Sequence, residues 1–465
     1  MKKAGKYQIQ MNLEGEWIND SPSVSGADVF CGRGRRVSKE WLSEREKERA
    51  LTQDLMVQIC ELSNLAAAGG QVIKNRGSSG VDGMSTQELK EGFMKLHKEV
   101  VNQLLAGEYK PEIVKGVEIP KPGGGLRLLG IPTVKDRMVQ QAISQVLSKR
   151  YARIFSSHSY GFRPGRSAHQ ALKKASEYVK EGYSYVIDLD IEKFFDKVNH
   201  DRLMSTLSNR ISDRRLLDII RKFLKAGILL GGLTSQRIRG TPQGSPLSPL
   251  LSNIVLDELD KELERRGHRF VRYADDMIIL VKSEQSAKRV LSSIINYIEG
   301  KMLLKVNRDK SRICRPYELN FLGYSLLPKG YLGLSRKSEQ RFKEKLRQIT
   351  KRNRGISLEQ LVKETNPVLR GWLQYFRYAR MKQKLEKLEG WLNRRIRCFR
   401  LKQCKRVSGI IKFLTGQKVP RWRAILLAVS HKGWFRKSGS PQAHEAMNKD
   451  WFVKIGLFSL IRNYC

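Results

Sequence analysis

The chain has 465 residues, with 88 Lys and Arg against 46 Asp and Glu and a formal net charge of +42. Its 40% hydrophobic content is enough for packed cores and excludes a disordered basic tail. The charge balance points to a nucleic-acid partner, and no apolar run approaches the ~18 residues of a membrane span. The opening stretch MKKAGKYQIQMNLEGEW has no apolar core of the kind a signal peptide needs. The six cysteines, Cys31, Cys60, Cys314, Cys398, Cys404 and Cys465, form no CxxC pair. That argues against a disulfide framework or a zinc ribbon, and for a reducing, cytoplasmic setting.

Residues 1–50 are polar and punctuated by glycine, with a basic cluster at CGRGRR, and read as an extension with little core of its own. Apolar residues at Leu51, Leu55, Ile59 and Leu62 predict a helix over about 40–68. GSSGVDG (77–83) is a loop, and KPGGGLR (121–127) is a hairpin tip between GVEIP and LRLLGIP. A helix follows over about 134–150. SYVIDLD (184–190) alternates: Tyr185, Ile187 and Leu189 face one way, Val186, Asp188 and Asp190 the other, a half-buried strand ending in acid. GTPQGSPLSP (240–249) is a loop leading into a helix that Gly267 stops. Two short strands, about 269–274 and 277–281, flank the Asp275-Asp276 turn, and FLGYSL (321–326) is another strand.

Near residue 336 the pattern becomes helical and basic. Asn366-Pro367 reads as a helix start, with Asn as N-cap and Pro at the first helical position. Leu369, Trp372, Leu373 and Phe376 form the apolar stripe that follows. Between Gly390 and His444 there are 14 Lys and Arg and no acid. With Trp391, Trp422, Trp434 and Phe435 interleaved, this reads as a folded nucleic-acid surface rather than a solvated face.

Acids in so basic a chain raise the question of what they serve. An isolated Asp-Asp is usually a turn. Asp190, however, also closes an apolar strand, so if these strands are neighbours in one sheet, Asp190, Asp275 and Asp276 meet at one end. Three carboxylates that close raise one another's pKa, and divalent cations relieve the repulsion. Two ions about 3.5–4 Å apart are what in-line phosphoryl transfer uses, and hard oxygen ligands favour Mg²⁺. The seven histidines show no ligand constellation, and KPGGGLRLLG opens no helix after a strand, so it is no P-loop.

RYADDMIIL (272–280) resembles the YxDD signature of reverse transcriptases. DLDIEKFFDKVNHD (188–201), GTPQGSPLSPLLSNI (240–254), LKVNRDKS (304–311) and FLGYSL follow the order of that family's palm motifs. IPKPGGGLRLLGIPTVKDRMVQQAI (119–143) and SYGFRPGRSAHQAL (159–172) resemble its fingers motifs. NPVLRGWLQYFRYARM (366–381) resembles the maturase motif, domain X, of the bacterial group II intron-encoded proteins. The likeness runs over roughly residues 55–465.

The resemblance implies an α+β right-hand polymerase, with fingers and a palm built on a small antiparallel sheet over 51–335. A helical thumb and maturase domain (336–405) and a basic helical DNA-binding region (406–465) would follow. It implies an RNA-directed DNA polymerase and maturase that joins a dNTP to a primer 3′-hydroxyl on an RNA template. Asp190, Asp275 and Asp276 match the catalytic, metal-binding acids, with two Mg²⁺ ions. Lys121 and Arg127 match the clasp on the triphosphate, Phe195 the gate against a ribose 2′-hydroxyl, and Gln243 the residue beside the dNTP. Lys310 stands where a general acid for pyrophosphate release is placed, and FLGYSL matches the primer grip. Arg163, Arg370, Arg394, Arg395 and Arg397 are the expected nucleic-acid contacts. Asp188, Asp196 and Asp201 are expected to be structural. The implied partners are a group II intron RNA, a DNA target or primer and dNTPs, with a homodimer permitted and no membrane. No paired cysteines or His-rich cluster follows domain X, so no HNH endonuclease is expected. The alternatives are a splicing factor without polymerase activity, against which the intact acids speak, and a domesticated reverse transcriptase in phage defence or repair.

Overall fold

The computed structural model describes residues 54–120, 124–235, 239–241 and 244–464. The extension over 1–50, Lys121 and Gln243 lie outside the described residues.

The first helices are α1 (Leu55–Cys60) and α2 (Leu62–Asn75), separated at Glu61 by an extended ψ of 136°. The expected single helix is thus broken, and it ends at residue 75 rather than 68. The Asn64 side chain donates to the carbonyls of Ile59 and Ala142, which holds the break against the next helical layer. α3 (Thr86–Ala106) opens on a Ser85–Glu88 capping box. β1 (Val114–Pro120) and β2 (Leu126–Ile131) form the expected hairpin, with Ile119 opposite Arg127. Then come α4 (Val134–Tyr151) and α5 (Ala168–Lys180).

β3 (Tyr185–Leu189) enters the central sheet. After it come α6 (Phe194–Lys197), α7 (His200–Ser208) and α8 (Arg214–Lys225). β4 (Ile228–Leu230) and β5 (Leu233–Ser235) extend the fingers sheet, whose order is β2-β1-β4-β5. α9 (Ser248–Arg265) leads into β6 (Arg269–Tyr273), β7 (Asp276–Val281) and α10 (Glu284–Asn296). With β8 (Arg312–Cys314), the palm sheet has the order β6-β7-β3-β8, antiparallel throughout.

Both faces of this sheet are covered. Ile187, Leu189, Phe270, Met277 and Ile279 point into one core with the fingers helices. Val186, Val271, Ile278 and Leu280 point into a second core with the C-terminal helices. The expected alternation of β3 therefore holds, but its first half is buried on both sides rather than half-buried. FLGYSL is only partly strand. Leu322 and Gly323 make a turn at φ 51° and 84°, and β9 (Tyr324–Leu326) pairs with β10 (Leu332–Leu334).

α11 (Arg336–Ile349), α12 (Leu358–Phe376) and α13 (Lys382–Gln403) follow. The chain ends in α14 (Val407–Gly416), α15 (Arg421–Val429), α16 (Trp434–Lys437), α17 (Pro441–Ala446) and α18 (Lys449–Lys454). The helix start expected at Asn366-Pro367 is overturned: both lie inside α12, which Ser357 caps. Asn366 is spent on tertiary contact instead, donating to the Gly456 carbonyl at 2.8 Å and accepting from the Phe458 N–H at 2.9 Å. The stripe that follows behaves as expected: Leu369, Leu373 and Phe376 are buried, and Trp372 stacks on Phe342 at 4.0 Å. Among the described residues no helix is long and apolar enough to cross a membrane.

Candidate active site

The palm register brings the acids together. Leu189 pairs with Met277, so Asp190, one residue past β3, and Asp275-Asp276, at the head of β7, share one end of the sheet. Asp190 is fixed from a third side, where Asn307 N–H donates to its carbonyl at 2.8 Å and its own N–H donates to Ser311 Oγ at 3.0 Å. Asp188 lies one pleat back, paired with Arg312 at 3.7 Å, and its charge also acts on Asp276. Asp201 pairs locally with Arg221.

The electrostatics suit a cation. Burial, then the charges of Asp275, Asp188 and Asp190, push Asp276 up to about 7. Asp275 is also raised, first by burial and then by Asp190, with the nearby Arg127 opposing the shift. Among the described residues no three carboxylates, imidazoles or thiols converge tightly enough to cage an ion by themselves.

Of the other expected residues, Arg127 and Lys310 lie near this end. Arg127 is exposed on β2, close enough to act on Asp275 through its charge. Lys310 Nζ is 3.5 Å from Asp190 Oδ2. Phe195 is half-buried, its ring 5.5 Å from Phe194. The loop before α9 docks on Phe195: the Thr241 N–H donates to the Phe195 carbonyl at 2.6 Å. A Cβ at Gly244 would come 2.6 Å from the Gly130 carbonyl, so only glycine lets this loop lie against the fingers hairpin.

The expected nucleic-acid arginines divide. Arg163 is buried and donates to the carbonyls of Ser156, Ser159 and Ala152, so it braces a loop. Arg397 is buried on the Met447 carbonyl, which ends α17. Arg395 donates to Thr350 Oγ1 and to the carbonyls of Arg347 and Thr350, at the end of α11. Arg394 reaches the Phe435 carbonyl and lies over its ring at 4.2 Å. Lys437 is used the same way, on the Ala428 carbonyl near the end of α15. Helix C-termini leave carbonyls without partners, and cations are well suited to satisfy them. Part of the one-sign run is thus spent on internal carbonyls: Arg397 from a buried position, and Arg394 and Arg395 from half-buried ones, as Arg163 is in the fingers. Arg370 does remain on the surface, against the Phe458 ring.

Three further residues, Arg272, Asp260 and Asn253, form a buried polar node under the Asp275-Asp276 turn. Arg272 is wholly buried. Its Nε and Nη2 donate to Asp260, and its Nη1 donates to Asn253 Oδ1 at 2.8 Å and to the Ala274 carbonyl at 2.9 Å. A signal was present in the sequence: Asn253, Asp257, Asp260 and Glu264 form a polar stripe at helical spacing on the otherwise apolar α9. Asp257 and Glu264 accept from Ser156.

The reverse transcriptase (RNA-dependent DNA polymerase) family pattern matches residues 119–326, and the group II intron maturase-specific domain matches residues 339–416. Protein YkfC of Escherichia coli (strain K12) is 31% identical over 351 residues, 67% of this chain and 91% of that protein. The group II intron-encoded protein LtrA of Lactococcus lactis subsp. cremoris is 29% identical over 329 residues. That match covers 57% of this chain and 53% of LtrA, so the chain spans about half of that relative's length. A Cas6-RT-Cas1–Cas2 complex has a chain 28% identical at a TM-score of 0.35, over 53% of this chain and 43% of that one. The chain belongs to the group II intron-encoded reverse transcriptases, the class of RNA-directed DNA polymerase that carries a maturase domain.

Proposed function

We propose that this cleft joins a deoxynucleotide to a primer 3′-hydroxyl on an RNA template, with two Mg²⁺ ions held by Asp190, Asp275 and Asp276. The observation that carries this reading is the palm register, which gathers three acids at one sheet end with the exposed Arg127 beside Asp275. The cations, when bound, lower the pKa of the primer hydroxyl and neutralise the triphosphate. The chain's part is positioning and charge. Arg127, together with Lys121, clasps the triphosphate, a task suited to a fork and a point charge. Phe195 and Gln243 border the sugar, and Phe195 closes the space a 2′-hydroxyl would need. Lys310, already beside Asp190, lies within reach of a departing pyrophosphate. The thumb and domain X, with Arg370 on the surface, hold a group II intron RNA largely by its shape and phosphates. Residues 406–465 meet the DNA target.

The test is extension of a DNA primer on an RNA template, with the wild type beside Asp275→Ala. Loss of synthesis by more than about 10²-fold with RNA binding kept supports the cation role. Loss of both would mean misfolding, and synthesis kept would remove Asp275 from the site.

A further inference from the structure

The turn that presents Asp275 and Asp276 is strained: Ala274 sits at φ +59°, a left-handed conformation unfavourable for a residue with a Cβ. Such a residue persists where its surroundings over-determine it. Here they do so from two sides. From α9, Asp260 and Asn253 hold the Arg272 guanidinium, which donates to the Ala274 carbonyl at 2.9 Å. From the fingers loop, the Arg272 N–H donates to the His158 carbonyl and the Tyr160 N–H donates to the Arg272 carbonyl. Asn253 Nδ2 donates to the Gly161 carbonyl at 2.8 Å, tying the loop to the same node. A Cβ at Gly161 would lie 2.2 Å from the Ala274 nitrogen, so the loop backbone lies directly against the turn.

We propose that Arg272, held by Asp260 and Asn253, is a positioning residue for nucleotidyl transfer. Its Nη1 clamps the Ala274 carbonyl and sets the direction in which Asp275 and Asp276 leave the strand. Two N–H groups on one guanidinium nitrogen reach two acceptors, and the rest of the fork takes the carboxylate. A lysine cannot make all these contacts at once. The assignment rests on the polymerase reading, and the test separates the two.

The full chain is compared as wild type, as Arg272→Lys, and as the double variant Arg272→Met with Asp260→Leu. An apolar pair of similar size in place of a buried ion pair is often neutral or stabilising, so the double variant removes the clamp without leaving a lone buried charge. Hydrogen exchange over residues 273–276 and primer extension are both measured, well below each variant's Tm. The expected result is at least tenfold faster exchange at the turn, with α9 and the rest of β7 unchanged. At near-normal Tm, kcat falls at least tenfold, with a smaller change in KM for dNTP and a higher Mg²⁺ requirement. If Tm is kept while kcat and turn exchange match the wild type, the positioning role is overturned. If exchange rises evenly through α9, β7 and the turn, the pair is a general stabiliser and the proposal also fails. Should the double variant fail to fold, Arg272→Lys decides by the same readouts. A wild type that folds but never extends a primer refutes the polymerase reading alone, and turn exchange still decides whether Arg272 holds the turn.

Discussion

Asp276 sits beside Asp275, Asp188 and Asp190, and its pKa of about 7 lies well above that of a free aspartate. The fold holds this proton more tightly than the unfolded chain does. In divalent-free buffer the resulting stability is therefore full below about pH 4, falls as pH rises to about 7, and stays lost above. The Asp276 side chain is nonetheless exposed at the sheet end, so solvent screening keeps the slope well below the ~1.4 kcal/mol per pH unit of a full proton. Tm measured against pH should show this fall in the wild type and not in Asp276→Asn; parallel curves would contradict it. Phe195 carries the second residue-scale prediction. Phe195→Ala should lower discrimination against ribonucleotides by at least about tenfold in primer extension, with dNTP incorporation retained. Unchanged sugar selectivity would return Phe195 to the core against which it already packs.

At the scale of elements, the C-terminal arginines act as helix caps, and their loss should be read as stability. Arg395→Ala removes charged hydrogen bonds to the end of α11 and should cost about 1–3 kcal/mol in denaturant unfolding. The salt slope of RNA binding should not change, and a flattened slope would restore Arg395 as a phosphate contact. Asn366→Ala should similarly raise exchange at residues 456–458, which it ties to α12. The sequence misled at both places for a physical reason. Asn-Pro has the local chemistry of a helix start, and only the distant tail that Asn366 binds shows why the helix runs through it. An arginine run shows its charge but not whether a carbonyl or a phosphate faces it. By contrast, the β1–β2 hairpin could be read from local pattern alone, because alternation and turn residues decide it, whereas the meeting of the palm acids depended on which strands become neighbours in the sheet. Arg272 lay between: α9 displayed its polar stripe, but the partner on β6 becomes visible only once the sheet is assembled.

Across the whole molecule, the palm sheet separates two hydrophobic cores, one shared with the fingers helices and one with the C-terminal helices. The acids emerge at the sheet end, between elements anchored in different cores. The net charge of +42 then acts on the remainder of the surface. Exposed cations of the C-terminal region, among them Lys412, Lys418 and Arg421, should carry the salt dependence that the internal arginines do not. Reversing all three to Glu should flatten the salt slope of nucleic-acid binding while Tm holds, and an unchanged slope would place the binding surface elsewhere.

Whether the cleft at the palm sheet end copies RNA into DNA is decided by primer extension with dNTPs and Mg²⁺ on an RNA template. The wild type should extend the primer and Asp275→Ala should not, with RNA binding intact in both. A folded, RNA-binding wild type that extends no primer would contradict the polymerase reading and leave RNA binding as the chain's function.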